Sequence, residues 1–183
     1  MEIVRLSVKD TDRVVELFTE FCKDNIYYKS AAVNKNMDIL SYMKEFVGKQ
    51  LHDILSSNQT FGVIEKDEIV GYFLCFCIED LMKISEESYQ NTFDGAVTLK
   101  GILESYVGRT CFIVSTYVQD NCPTRYLSKL IRVSLEELGY NYNYVTDVIP
   151  DANLKELFAD LGFKAVCKNG INIWERVYGR IGM

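Results

Sequence analysis

The stretch that decides the fold runs from residue 111 to residue 139 and reads CFIVSTYVQDNCPTRYLSKLIRVSLEELG. Its first eight residues are mostly apolar and predict a strand with both faces covered. A turn follows at Asn121-Cys122-Pro123, and the spacing of the next apolar residues predicts a helix that Gly139 ends. Proline favours the first position of a helix, so we expect the helix to begin at Pro123. Its predicted inward face holds Leu127, Leu130, Ile131, Ser134 and Leu138.

The C-terminal part repeats the alternation of strand and helix. Residues 143–149 predict a strand, and residues 150–161 predict a helix that Gly162 ends. Residues 163–168 and 171–178 predict a hairpin, because Asn-Gly is typical of a two-residue hairpin turn. Strand–helix–strand units imply right-handed crossovers, so we expect a partly parallel sheet.

The N-terminal part predicts a strand over residues 3–8 and then a helix that begins at Asp10 or Thr11. Residues 26–36 are interpreted as a connection, and residues 37–55 predict a second, longer helix. A hairpin follows, with strands over 60–65 and 69–78 and a turn at Lys66-Asp67-Glu68.

Residues 79–109 fit no strand of this pattern, and we interpret them as an insertion outside the sheet. The spacing of Leu99, Ile102, Leu103 and Tyr106 is helical, so we expect a helical insertion between the third and fourth strands. The whole chain, 1–183, is then predicted to be a single α/β domain with a mixed central sheet of about seven strands flanked by helices.

Composition excludes several classes of function. The formal net charge of −6 argues against a nucleic-acid partner, because phosphate contacts need clustered Lys and Arg. No apolar run approaches the roughly 20 residues that span a bilayer, and the start of the chain does not read as a signal peptide. His52 is the only histidine, which excludes a His-rich metal site, and we predict no metal. We expect a cytoplasmic protein in which Cys75 and Cys77 are buried thiols.

Residues 111–168 resemble the GNAT N-acetyltransferase superfamily. The order of elements is similar, and LFADLGFK at residues 157–164 resembles the family's usual LYEKLGFK. The resemblance implies a GNAT-like fold and an acyl-CoA-dependent N-acyltransferase, with acetyl-CoA as the donor and a primary amine as the acceptor. The expected acceptor is a small molecule or a protein, and the acidic surface suits a cationic amine. The resemblance also allows a homodimer.

The resemblance also places the cofactor. In the family, the pantetheine arm pairs with the fourth strand, which points to Tyr117, Val118 and Gln119. The pyrophosphate lies on the start of the next helix, in a motif Q/R-x-x-G-x-G/A that falls on residues 122–127. No glycine occurs from 109 to 138, and Arg125 and Leu127 take the two glycine positions. The cofactor residues implied are Tyr117, Val118, Gln119, Thr124, Arg125, Tyr126, Leu127 and Lys129, with the charges of Arg125 and Lys129 replacing backbone contacts.

The catalytic positions depart from the family as well. Phe158 stands where many members have a tyrosine that protonates the leaving thiolate, and phenylalanine has no proton to give. Asp147 is the better candidate for a base, and Thr116 is the weaker polar candidate on the preceding strand. The alternative is a non-catalytic GNAT-like module that has lost tight CoA binding.

Two further expectations follow from position. Cys122 lies at a predicted helix start beside Arg125, where the pKa of a thiol should fall. The insertion at 79–109 is predicted to cover the acceptor side, as a lid or as a contact with another subunit.

Overall fold

The computed structural model describes residues 1–77, 105–106, 109–123, 125–139, 142–146, 152–168 and 170–177. Seven strands form one sheet in the order β1-β2-β3-β4-β5-β7-β6. The strands are β1 (Glu2–Arg5), β2 (Phe61–Glu65), β3 (Glu68–Cys77), β4 (Thr110–Val118), β5 (Asn143–Thr146), β6 (Lys164–Lys168) and β7 (Ile171–Arg176).

The sheet is mixed. Strands β1 to β4 pair with one another in antiparallel fashion, β4 and β5 are parallel, and β7 is antiparallel to both β5 and β6. The predicted seven-stranded mixed sheet with flanking helices is therefore confirmed. Strand β3 is buried on both faces from Val70 to Cys77, as its unbroken apolar sequence predicts.

The described helices are α1 (Thr11–Phe21), α2 (Ile26–Asn34), α3 (Ile39–Tyr42), α4 (Gly48–Ser56), α5 (Arg125–Leu138) and α6 (Ala152–Asp160). The residues that they bury divide between two cores. Helices α1 and α4 contribute to a first core with Leu6, Tyr72 and Leu74 of the N-terminal part. Helices α5 and α6 contribute to a second core with Phe73, Cys75 and Ile113. Consecutive residues of β3 thus point to opposite cores, as alternation along a strand requires.

Turns and helix ends follow the predicted signals closely. Lys66 and Asp67 both have positive φ, 51° and 65°, so the β2–β3 turn has two residues rather than the three predicted. Gly139 has φ +85° and Gly162 has φ +83°, and these glycines end α5 and α6 as expected.

Two N-terminal predictions were wrong. Residues 26–36 are not a plain connection, because α2 occupies Ile26–Asn34. Its apolar residues do not lie along one stripe, and Ile26 and Val33 are 81% and 70% exposed. The sequence therefore lacks the helical spacing of apolar residues that would have predicted this helix. The helix predicted over 37–55 is also interrupted, because a π-helical turn at Met43–Val47 separates α3 from α4.

Two element starts also differ from the prediction. The strand predicted over 3–8 ends at Arg5, since Ser7 donates from its backbone N–H to Asp10 Oδ2 at 2.8 Å and starts a 3₁₀ turn. Helix α5 begins at Arg125 and not at Pro123, whose carbonyl accepts from the Tyr126 N–H at 2.8 Å. In the described part of the chain, no helix combines the length and the apolar character needed to cross a bilayer.

The insertion predicted at 79–109, with its predicted covering of the acceptor side, falls almost entirely outside the described residues. Tyr106 is described, and its side chain packs against the first core.

Candidate active site

The parallel strands β4 and β5 pair over a short length. Thr110–Ile113 of β4 lie opposite Asn143–Thr146 of β5. Strand β4 continues to Val118 and stays paired with β3 on its other side, up to Val118 opposite Gly71. The second half of β4 therefore has one edge that no described strand covers. The β3–β4 register shifts between Leu74 and Cys75, which places a bulge close to the point where the pairing with β5 ends.

Hydrogen bonds show which backbone groups face that edge. The Gln119 N–H donates to Val70 O at 2.9 Å, so Gln119 faces β3. Because backbone direction alternates along a strand, Tyr117 also faces β3, and Thr116 and Val118 face away from it. The open edge of β4 thus offers an N–H and a C=O from each of Thr116 and Val118. An extended ligand with amide groups can pair with these as an added strand does.

The start of α5 lies directly after this edge. The Cys122 N–H donates to Gln119 O at 2.9 Å, which forms a tight turn. The Tyr126 N–H is also engaged, since it donates to Pro123 O. The Tyr126 ring is buried in the second core, and its hydroxyl donates to Glu65 Oε1 at 2.9 Å. Two of the backbone donors near the helix start are therefore already used within the protein.

The charges around the helix start are mixed. Arg125 and Lys129 are exposed on α5. Arg132, on the same side of the helix, is 4.0 Å from Asp160 Oδ2 of α6. Leu127 instead packs against the second core, and Thr124 lies outside the described residues. Arg125 and Lys129 can therefore attract an anion, whereas Tyr126 and Leu127 act in packing.

The expected reactivity of Cys122 is not supported. Partial burial and the nearby Glu65 carboxylate raise the pKa of the Cys122 thiol, and its Sγ lies 3.9 Å from Glu65 Oε2. The prediction considered only Arg125 and the helix start. It missed Glu65 because that residue is 57 positions away in the sequence.

Hydroxyl groups line the face of β4 that looks toward α1. Tyr72 Oη and Ser115 Oγ are 3.3 Å apart, and the Tyr117 ring lies 5.9 Å from Tyr72 and 5.7 Å from Phe21. Burial, with the nearby Glu20 carboxylate, raises the pKa of Tyr117 to about 12, and burial raises the pKa of Tyr72 well above its ordinary value. Both phenols therefore keep their protons at neutral pH.

Thr116 points the other way. It lies opposite Phe73, which belongs to the second core, so its side chain is on the α5 face of the sheet. Asp147, the other predicted catalytic residue, lies outside the described residues. Phe158 is 2% exposed and stacks edge-on against Phe163 at 4.9 Å, so at this position α6 contributes packing and no proton donor.

Sequence reasoning missed a buried carboxylate at Glu175 on β7. Glu175 is 7% exposed, accepts a hydrogen bond from Tyr106 Oη and forms an ion pair with Lys168 Nζ at 3.0 Å. A signal was present, because Glu175 lies two residues after the apolar Ile173 and therefore on the same face of the final strand.

Several solved structures share this fold. Arylalkylamine N-acetyltransferase 2 from Aedes aegypti superposes with a TM-score of 0.62 at 18% identity, covering 97% of this chain and 99% of that one. The fold is that of the GNAT-type N-acetyltransferases. An N-acetyltransferase from Staphylococcus aureus Mu50 superposes with a TM-score of 0.59 at 12% identity, covering 96% and 98% of the two chains.

A polyamine N-acetyltransferase from Drosophila melanogaster, which forms N-acetylagmatine, has a TM-score of 0.53 at 12% identity over 95% of this chain and 97% of its own. No protein-family model and no curated protein sequence matches this sequence.

Proposed function

We propose that this protein is an acyl-CoA-dependent N-acyltransferase that transfers an acyl group, with acetyl as the first candidate, to a primary amine. The observation that carries the proposal is the open edge of β4, where Thr116 and Val118 each present an N–H and a C=O beyond the last pair with β5. The GNAT-type fold supports it, because structures with this fold include several N-acetyltransferases.

The described residues fit acyl-CoA in part. The backbone of Thr116 and Val118 suits the amide groups of a pantetheine arm, and Arg125 and Lys129 supply exposed positive charge for the diphosphate. When bound, the cofactor supplies an acyl thioester. The helix start fits less well, because the Tyr126 N–H already bonds to Pro123 O and Glu65 adds negative charge nearby. We infer that binding at the diphosphate depends on side chains rather than on a backbone cradle.

The acceptor amine is proposed to approach from the α1 face of the sheet. Ser115 and Tyr117 lie on that face at the end of β4, and Glu20 receives a hydrogen bond from Gln119 Nε2 at 3.1 Å. The Glu20 carboxylate, beside the end of β4, favours the approach of a cationic amine. Tyr117 Oη keeps its proton at neutral pH and is our candidate for the donor absent at Phe158, although its pKa of about 12 makes it a weak acid. Asp147 remains our candidate for the proton acceptor.

A second candidate function is a non-catalytic module with a GNAT-like fold. The engaged Tyr126 N–H and the buried Phe158 favour it, because both remove groups on which the family relies. The two candidates differ in one measurable property, the release of free thiol from acyl-CoA in the presence of an amine.

The test combines that assay with a change in the backbone. Thr116→Pro removes the N–H at the open edge but no bond to β3, so the sheet should tolerate it as an edge strand does. Loss of one hydrogen bond, about 0.5–1.5 kcal/mol, weakens acetyl-CoA binding by about 2- to 12-fold. The matched variant Ser115→Pro removes a donor that faces β3 and should lower the melting temperature instead.

We expect the wild-type protein to release thiol from acetyl-CoA with a small cationic amine, and Tyr117→Phe to slow turnover with little change in melting temperature. Tyr142→Phe, on the stretch that precedes β5, is the matched control. No thiol release with acetyl, propionyl or longer acyl-CoA across a panel of amines would reject the enzyme. If acetyl-CoA also failed to bind, the open edge would have another role.

A further inference from the structure

Two cysteines face each other across the β3–β4 ladder. Cys77 is the last residue of β3, Cys111 is the second residue of β4, and the two are partners in the antiparallel register. Their Sγ atoms are 2.6 Å apart, about 0.5 Å more than the length of a disulfide bond. Both residues are 0% exposed. The structure therefore holds two sulfur atoms almost at bonding distance in the second core.

The backbone register also suits a disulfide. The Asn143 N–H donates to Arg109 O at 2.8 Å, so Arg109 faces β5, and by alternation Cys111 faces β5 too. Cys77 and Cys111 consequently form a pair without backbone hydrogen bonds between them, in which the Cα atoms are about 4.5 Å apart. Disulfides span Cα distances of about 4.4–6.8 Å, so the strands need not move apart.

The neighbouring cysteine lacks this arrangement. Cys75 is also 0% exposed and lies on the same face, but its partner across the ladder is Ile113. Cys75 and Cys77 are two residues apart on one strand, where Cα atoms are roughly 6.7 Å apart and side chains run parallel. Cys75 is therefore a matched control within the same core.

We propose that Cys77 and Cys111 form a reversible disulfide that joins β3 to β4. In the reaction, the two thiols lose two protons and two electrons, an S–S bond forms, and one oxidised glutathione is reduced to two glutathione thiols. The bond links residues 34 positions apart and ties together the two strand ends from which residues 78–109 depart. It is independent of the proposed acyl transfer.

The experiment uses the full chain, equilibrated in buffers with graded ratios of reduced to oxidised glutathione. Samples are quenched with acid, denatured and alkylated with N-ethylmaleimide, and the mass is measured. The chain has six cysteines, so we expect six alkylations in reducing buffer. In oxidising buffer Cys77 and Cys111 should lose theirs and give a Cys77–Cys111 peptide after digestion, whereas glutathione on the exposed Cys167 is recognised by its added mass. Closing this loop should raise the melting temperature by about 10 °C.

Variants assign the bond. Cys75→Ala should still lose two alkylations on oxidation, whereas Cys77→Ala and Cys111→Ala should not. If these two variants fail to fold, the peptide map of the wild-type protein decides alone. Six alkylations at every glutathione ratio, a disulfide between any other pair, or only a mixed disulfide with glutathione would overturn the proposal.

Discussion

Gly71 is the residue whose substitution should disturb the candidate site most directly. It lies on β3 opposite Val118, immediately behind the open edge of β4. A Cβ atom placed on Gly71 would lie 2.7 Å from the Tyr117 carbonyl oxygen, 2.7 Å from Val118 Cγ2 and 3.1 Å from Val118 Cα. Two of these three atoms belong to the backbone, so rotation of a side chain cannot relieve the clash. Gly71→Ala must therefore push the end of β4 away from β3.

The structure sets the magnitude. Overpacking of a well-packed core costs about 1–3 kcal/mol, and each kcal/mol lowers the melting temperature of a chain of this size by about 2–4 °C. We expect a decrease of about 2–12 °C. The effect on function should be larger, because a shift of about 1 Å in a reacting group can reduce the rate about 100-fold. Thiol release from acetyl-CoA should fall by at least tenfold in Gly71→Ala.

The assay pairs differential scanning fluorimetry with thiol release, and Gly48→Ala is the matched control. A Cβ atom on Gly48 would meet Val15 Cγ2 at 3.6 Å and Met43 O at 3.8 Å, which are ordinary contacts. Since alanine favours helix over glycine by about 0.5–1 kcal/mol, Gly48→Ala should match or exceed the wild-type stability. Wild-type stability and turnover in Gly71→Ala would refute the argument that the β3–β4 spacing holds the site in place.

Three other predictions test charge and protonation. Arg125→Ala should weaken acetyl-CoA binding in calorimetry, and higher salt should weaken binding to the wild-type protein. Lys49→Ala on α4 should leave binding unchanged. Tight binding that survives both Arg125→Ala and high salt would show that backbone N–H groups bind the diphosphate. Cys122 should react with a thiol reagent at pH 7.5 more slowly than glutathione does, because partial burial and Glu65 raise its pKa, and equal rates would contradict this. The pKa of Tyr117 is raised to about 12 in the folded protein, so the folded state holds this proton more tightly than the unfolded state does. The contribution of Tyr117 to stability is therefore complete below pH 10 and is lost as the pH rises toward 12. Tyr117→Phe should therefore make the urea midpoint less dependent on pH in that range.

Much of the architecture from β3 onward could be predicted because its signals are local. Gly139 and Gly162 adopt positive φ at the ends of their helices, and the long apolar run of β3 matches a strand covered on both faces. These features depend on residues close together in the sequence, which is what patterns of spacing report. Helix α2 shows the opposite case, since its apolar residues make no stripe and no local pattern predicts it.

The candidate site could be predicted only in part, because its important contacts are long-range. Tyr126 and Cys122 contact Glu65, which lies 61 and 57 positions away. Glu175 meets Tyr106 across 69 positions. The sequence shows that glycine is missing at the helix start. It does not show that the Tyr126 ring points into the second core, or that the Glu65 carboxylate lies beside Cys122 and Tyr126. Side-chain direction at a helix start depends on the core behind it, which no local pattern contains.

The short parallel ladder between β4 and β5 also has a consequence for folding. Strands β1 to β4 are joined to β5 to β7 by four residue pairs, Thr110–Ile113 with Asn143–Thr146. Antiparallel neighbours such as β2 and β3 meet through a two-residue turn, but β4 and β5 meet only after α5 has crossed between them, which costs more chain entropy. We therefore expect the amides of β2 and β3 to gain protection from hydrogen exchange before those of β5. The same junction that opens an edge for a ligand would then be the last part of the sheet to close.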